Sequence, residues 1–171
     1  MKKVIMILVI ACISAGAIAQ NSETAATSPN FRAYNVQNLE GAELFEAIIG
    51  KEKGKVVVID FWGVNCGPCL NAHNQFKPHK SQFDPDKVTF VYIVNQSSSM
   101  QTWENMIPEI SGEHYRLTTR QFNYMLQRLG VRMRGIPLYI ILDKNGNTAY
   151  SRTGFPGVGT IVGKINEALE R

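Results

Sequence analysis

The sequence predicts an α/β protein, a layered sheet with helices packed on it. Two continuous apolar runs carry that reading, residues 56–61 (VVVIDF) and 88–94 (VTFVYIV). Short runs rich in β-branched residues suit strands buried on both faces, as in parallel sheets. Stretches with helical spacing alternate with them, and the chain closes on a hairpin followed by a last helix, an order typical of layered α/β architecture. A chain of 171 residues is long enough for one domain with its own core.

Each element has its own signal. Within 41–49, Leu44, Phe45, Ile48 and Ile49 fall at helical spacing, which predicts a short amphipathic helix. Residues 51–55 (KEKGK) form a turn, and 56–61 read as a central parallel strand. A helix then runs from Gly67 to about Gln82, with Pro68 in the first turn, where proline is tolerated. Residues 88–94 are a second buried strand. Ser98-Ser99-Met100-Gln101 has capping-box spacing and opens a helix through about Ile107. Thr118-Thr119-Arg120-Gln121 repeats the pattern before Phe122, Met125, Leu126 and Leu129, and Gly130 marks the stop. Residues 138–142 make a strand, 143–147 (DKNGN) a hairpin turn and 148–152 its partner, ahead of a helix over 159–170.

Composition excludes some functions. Apolar residues make up 44% of the chain and charged ones 19%, with a formal charge of +4. The basic residues are scattered, without the dense run or aromatic interleaving of a nucleic-acid face. The N-terminus reads as an export signal: Lys2 and Lys3, an apolar stretch over 4–13, then Ala17-Ile18-Ala19 as a cleavage site before Gln20. The apolar stretch is too short to span a bilayer, which takes about 20 residues. Val9-Ile10-Ala11-Cys12 offers the alternative of a lipid anchor at Cys12. Residues 1–19 are therefore expected to be a signal peptide, 20–30 a flexible tether and 31–171 the folded domain, working in the periplasm.

That placement gives meaning to the three cysteines. Cleavage after Ala19 leaves only Cys66 and Cys69, in a compartment where disulfides form. A bond between them closes so small a loop that it constrains the unfolded chain little. If it forms, it forms to be used. Cys66 stands where a strand ends and a helix begins, and helix N-terminal amides stabilise a thiolate there. Cys69 lies one turn further in. Cys66 is thus expected to attack a partner, and Cys69 to resolve the mixed disulfide. A metal reading of Cys66, Cys69, His73 and His79 fails on geometry, because one short helix does not place four ligands tetrahedrally. His73 reads as a partly exposed helix residue, and His114 has no motif around it.

The stretch IDFWGVNCGPC resembles the active site of thioredoxins, and Arg134-Gly135-Ile136-Pro137 followed by LYIILDKNG resembles their second signature. The resemblance covers residues 31–171. Export, with extra helical material between Cys69 and Pro137, makes the chain more similar to the TlpA/ResA branch. It implies a thioredoxin-like fold: a central mixed β-sheet, helices on both faces and a helical insertion before a hairpin opened by a cis-proline, Pro137. It further implies that Asp60 is a buried acid moving protons to and from the resolving thiol. The plainer reading of Asp60 is a strand-end carboxylate paired with Lys55. By the same resemblance, the backbone at Ile136 would pair with an extended substrate segment. Trp62 would offer a flat contact surface, and Asn65, Gly67 and Pro68 would form the rim. The chain departs from the pattern at Asn65, where thioredoxins carry tryptophan. Ala72 stands where exported relatives often carry glutamate, and Asn74 where their helix often carries proline.

The function implied is an exported thiol–disulfide oxidoreductase needing no cofactor. Gly67-Pro68 and Ile136 match reducing members, so a reductant is expected, recharged by a membrane electron donor of the DsbD/CcdA type. Its partners would be exported disulfide proteins, apocytochrome c among them, with selectivity in residues 95–117. A thioredoxin-like peroxidase is the first alternative, but its P-x-x-x-T-x-x-C pattern is missing. A soft-metal or haem chaperone is the second, with the wrong cysteine spacing for the copper proteins of this type.

Overall fold

The structure, a computed structural model, describes residues 24–28 and 31–171. The expected signal peptide and cleavage site, and Cys12, lie outside the described residues. The strands are β1 (Thr24–Ser28), β2 (Phe31–Tyr34), β3 (Val56–Trp62), β4 (Val88–Asn95), β5 (Gly112–Leu117), β6 (Leu138–Leu142) and β7 (Thr148–Thr153). The helices are α1 (Gly41–Ile48), α2 (Gly67–Phe76), α3 (Met100–Met106), α4 (Thr119–Arg128) and α5 (Val158–Leu169). All seven strands join one sheet in the order β1-β2-β5-β4-β3-β6-β7. The sheet is mixed: β2, β5, β4 and β3 run parallel, while β1 at one edge and β6 beside β3 are antiparallel to their neighbours.

Strand alternation sorts the core into two layers. Val57, Ile59 and Phe61 of β3 join Val91 and Ile93 of β4 and Leu138, Ile140 and Leu142 of β6, under Leu44 and Ile48 of α1 and Phe122 and Met125 of α4. The intervening residues point the other way. Val56 and Val58 pack with Ala72 and Phe76 of α2 and Ile161 and Ile165 of α5. Trp62, Cys69 and Tyr92 pack with Trp103, Ile107 and Ile110 from the α3 region. Asp60 falls on this second face by the same period of two, which points a carboxylate into the layer beneath α2.

The helix over 67–82 changes pitch. It is α-helical to Phe76 and continues as a 3-10 segment, Lys77–Gln82. Pro78 at the start of that segment has no amide to donate to the preceding turn. The helix after β4 starts one residue later than its box spacing suggests: Ser99, not Ser98, is the N-cap, its hydroxyl accepting from the Thr102 amide at 3.4 Å. The second box forms in full between Thr118 and Gln121, and Gly130, at φ +67°, ends α4.

Two features correct the sequence reading. Thr24–Ser28, inside the expected tether, pair antiparallel with β2 as strand β1. Small polar residues carry no strand signal, and backbone pairing with an open edge decides the outcome. The insertion between β4 and α4 also contributes a strand, β5, besides its helix. Its sequence GEHYRL lacks an apolar run, because buried polar residues find partners. Glu113 accepts from Tyr34 Oη at 3.0 Å and Tyr115 Oη at 2.8 Å, and pairs with Lys51 at 2.7 Å.

Candidate active site

Cys66 and Cys69 are joined in a disulfide at the junction of β3 and α2. Cys66 is the N-cap of α2, and its sulfur accepts from the Cys69 amide at 3.2 Å. Pro68 sits in the first turn, where no intrahelical donor is needed. Cys69 is completely buried, whereas Cys66 is partly open and flanked by exposed Asn65, Gly67 and Pro68. The geometry makes Cys66 the sulfur a partner can reach.

The loop between β3 and Cys66 is fixed from two sides. The Val64 amide points at Ser98 Oγ at 3.5 Å, and Cys66 donates its amide to the Gly63 carbonyl at 3.0 Å. Gly63 passes so close to the next loop that a Cβ there would stand 3.1 Å from Ile136 Cδ1, a contact that only yielding of that side chain could relieve. The Ile136–Pro137 peptide is cis. Pro137 is buried and Ile136 is 38% exposed beside the cysteine loop.

A tryptophan-like substrate platform is not found at Trp62. Its side chain is 2% exposed and packs edge-on against His73 at 4.9 Å between ring centres. The last residue of β3 faces α2, and the α3 region covers it, so Trp62 belongs to the core.

Asp60 is 2% exposed. In register it lies between Tyr92 of β4 and Tyr139 of β6. It does not pair with Lys55, which reaches Glu52 at 3.5 Å and the Pro85 carbonyl at 3.2 Å. Its partner is His73: Nε2 lies 2.9 Å from Asp60 Oδ2. His73 is a half-buried helix residue, as expected, but its side chain is 8% exposed and its Nε2 is turned inward onto Asp60. The signal was its spacing, since Cys69 and His73 stand at i and i+4 on the buried face of α2. Burial raises the Tyr92 and Tyr139 hydroxyls well above their ordinary value, and the nearby Asp60 carboxylate adds to it. Burial also brings Lys80 down to about 7, opposed by Asp60 and assisted by Lys77. His114, buried and 2.7 Å from the Ile110 carbonyl through Nε2, is pulled down to about 3 by burial against that hydrogen bond, with Lys80 and His73 adding to the shift.

The cysteines bond to each other, His73 holds Asp60, and His79 is exposed, so these residues do not converge on an ion. Among the described residues no three His, Cys, Asp or Glu side chains form a cluster able to hold a metal.

A family model described as thioredoxin-like matches residues 54–148, just over half the chain. The chain belongs to the thioredoxin-like family. No curated protein sequence matches it. Among solved structures, it is similar to a secreted thiol-disulfide isomerase from Corynebacterium glutamicum, with 16% identity, a TM-score of 0.61, and 72% of this chain and 75% of that one covered. A thiol:disulfide interchange protein of the thioredoxin family from Chlorobium tepidum gives 20% identity, a TM-score of 0.57, and coverage of 70% and 83%. The exposed lipoprotein thioredoxin of Streptococcus pneumoniae gives 21%, 0.55, and 69% and 88%. At these identities the likeness is one of fold. The fold is that of the thioredoxin-like family, with β1 and the β5-bearing insertion in its sheet.

Proposed function

We propose that this thioredoxin-like disulfide oxidoreductase works as an exported reductant of protein disulfides. The observation that carries the reading is the Cys66–Cys69 bond at the N-terminus of α2, with one sulfur open and the other buried. In the reduced protein, the α2 amides stabilise the Cys66 thiolate. That thiolate attacks a partner disulfide, forming a Cys66–partner bond and releasing one partner sulfur as thiolate. Cys69 loses its proton and attacks Cys66 Sγ. The Cys66–Cys69 bond forms, the Cys66–partner bond breaks, and the second partner sulfur leaves as thiolate. Two electrons pass to the partner, whose thiolates take up protons. Asp60, buried on the α2 side of β3, is the group that accepts the Cys69 proton. The exposed backbone at Ile136 pairs with the partner's extended segment, and Asn65, Gly67 and Pro68 form the rim it meets.

Gly67-Pro68 between the cysteines supports the reducing direction. The export signal in the sequence, and the secreted and surface-exposed proteins that share the fold, support a periplasmic site of action. A membrane electron donor of the DsbD/CcdA type then returns the pair to dithiol, and exported disulfide proteins, apocytochrome c among them, are the substrates. Equilibration with glutathione tests the direction. A potential in the thioredoxin range, about −270 mV, is expected, and one near −120 mV would sink the reductant assignment.

A further inference from the structure

The Asp60–His73 contact is unexpected in position and chemistry. Ala72, the buried residue beside His73, brings no carboxylate to this face. Asp60 Oδ1 and His73 Nδ1 are buried without a protein partner, while Oδ2 and Nε2 face each other at 2.9 Å. Buried polar atoms left unpaired are costly, so an acid–imidazole pair with a free atom at each end calls for a use. The surroundings supply one. Asp60 and His73 both line an enclosed space of about 10 Å³, at the lower limit for one water molecule. His73 also lines an open groove of about 380 Å³ between α2 and the α3 region, with Leu70, Lys77, Asn105 and Glu109 around it. His73 thus borders both the enclosed space at the carboxylate and the open groove, with its Nδ1 buried between them.

We propose that His73 is the positioning and proton-carrying partner of Asp60, linking the carboxylate that serves Cys69 to the groove beside α2. The proposal rests on the thiol–disulfide exchange reading above and deepens it. When Cys69 resolves a mixed disulfide, its thiol proton passes to the Asp60 carboxylate. It moves along the 2.9 Å hydrogen bond to His73 Nε2, leaving a carboxylate–imidazolium pair. His73, which began as the Nδ1–H tautomer, turns its buried Nδ1 toward the groove it lines and gives up that proton there. Exchange with water then moves the remaining proton from Nε2 back to Nδ1 and resets the pair. No electrons move in this relay, and the proton count balances: one leaves Cys69 and one reaches solvent. A buried carboxylate without such an outlet would hold the proton and slow the next turnover.

Other titratable groups face the pair from every element packed against it. Tyr92 of β4 and Tyr139 of β6 stay protonated across the working range, since burial pushes both up. His114 of β5 stays neutral above about 3. Lys77 and Glu109 form a surface ion pair at 2.9 Å. Lys80, brought down to about 7, titrates within the pH range of the experiment, so it needs its own control.

The test is stopped-flow reaction of the reduced protein with the aryl disulfide 5,5′-dithiobis(2-nitrobenzoate) between pH 5 and 9. The first aryl thiolate reports attack by Cys66, and the second reports resolution by Cys69. In His73→Leu the first phase should stay near wild type, while the second slows about tenfold or more at neutral pH and converges with wild type at high pH, where Cys69 ionises unaided. His73→Gln keeps a donor for Asp60 Oδ2 but neither takes up nor releases a proton, and it should be as slow as His73→Leu. Asp60→Asn should show the same defect, with no further slowing in the double variant, whereas Lys80→Met should keep the wild-type neutral second phase. A wild-type second phase in His73→Leu, or its restoration in His73→Gln, would overturn the proposal. So would a Lys80→Met defect equal to that of His73→Leu. Failure of the exchange reading looks different: the wild-type protein itself would release no second thiolate, and the proposal would fall with it.

Discussion

Arg116 on β5 holds the Ser98 carbonyl through Nε at 3.2 Å and Nη2 at 3.1 Å, and Nη2 also reaches the Gln96 carbonyl at 2.7 Å. Ser98 in turn offers Oγ to the Val64 amide. A strand of the insertion therefore steadies the loop that carries Cys66. Arg116→Met, which keeps much of the stem and removes the donors, should leave the fold intact but loosen that turn. Hydrogen exchange at the Val64 amide should quicken about tenfold or more, since hydrogen bonds to a charged group contribute about 1.5–3 kcal/mol each. Unchanged protection at Val64 would mean the insertion does not support the site.

Gln121 tests the opposite face of the sheet. Its side-chain amide donates to the Val36 carbonyl at 2.7 Å and the Leu39 carbonyl at 2.8 Å, while Oε1 takes the Thr118 amide at 2.9 Å. Gln121→Leu strands buried acceptors and opens the capping box, so urea unfolding should show a loss of about 2 kcal/mol or more. A loss below about 0.5 kcal/mol would show that water replaces these bonds.

His114 should make the fold acid-sensitive. Its folded value, about 3, lies below the ordinary 6.5, so between those pH values the unfolded chain binds the extra proton. Stability is full above pH 6.5 and falls as pH drops toward 3, by up to about 1.4 kcal/mol per pH unit for one proton. His114→Gln keeps a donor for the Ile110 carbonyl and should flatten that slope. Equal slopes in the two proteins would contradict it.

Lys80 works in a different window. Its folded value, about 7, lies below the ordinary 10.5, so the unfolded chain again binds the extra proton and stability rises with pH from 7 to 10.5. Below pH 7 the fold carries a half-buried ammonium that donates to the Ser111 carbonyl and lies 4.4 Å from the centre of the Tyr92 ring. Lys80→Met should gain most relative to wild type at pH 6, with the gain shrinking toward pH 10.5. Denaturation at the two pH values measures it, and a gain that does not change with pH would refute the shift.

What the sequence disclosed follows from where its signals are local. The runs in β3, β4 and β6 are buried on both faces, so their apolar character is continuous and legible. The box at Thr118 and the stop at Gly130 depend on a few adjacent residues. β1 and β5 were hidden because pairing made them, not composition: Glu113 of β5 is a buried polar residue whose partner Tyr34 is distant in sequence. The cysteine pair was equally plain, being a spacing. Trp62 and His73 were not, because period alone does not say what covers a side chain. The α3 region seals Trp62, and Asp60 lies within reach of His73 only once α2 packs on β3.

The central claim is a division of labour between an open attacking sulfur and a buried resolving one. Covalent trapping with the full chain tests it most directly, comparing Cys69→Ser with Cys66→Ser on non-reducing gels of whole-cell extract. Cys69→Ser should accumulate adducts that a thiol reductant dissolves, and Cys66→Ser should accumulate none. Adducts on Cys66→Ser alone, or no adducts on either variant, would contradict the account.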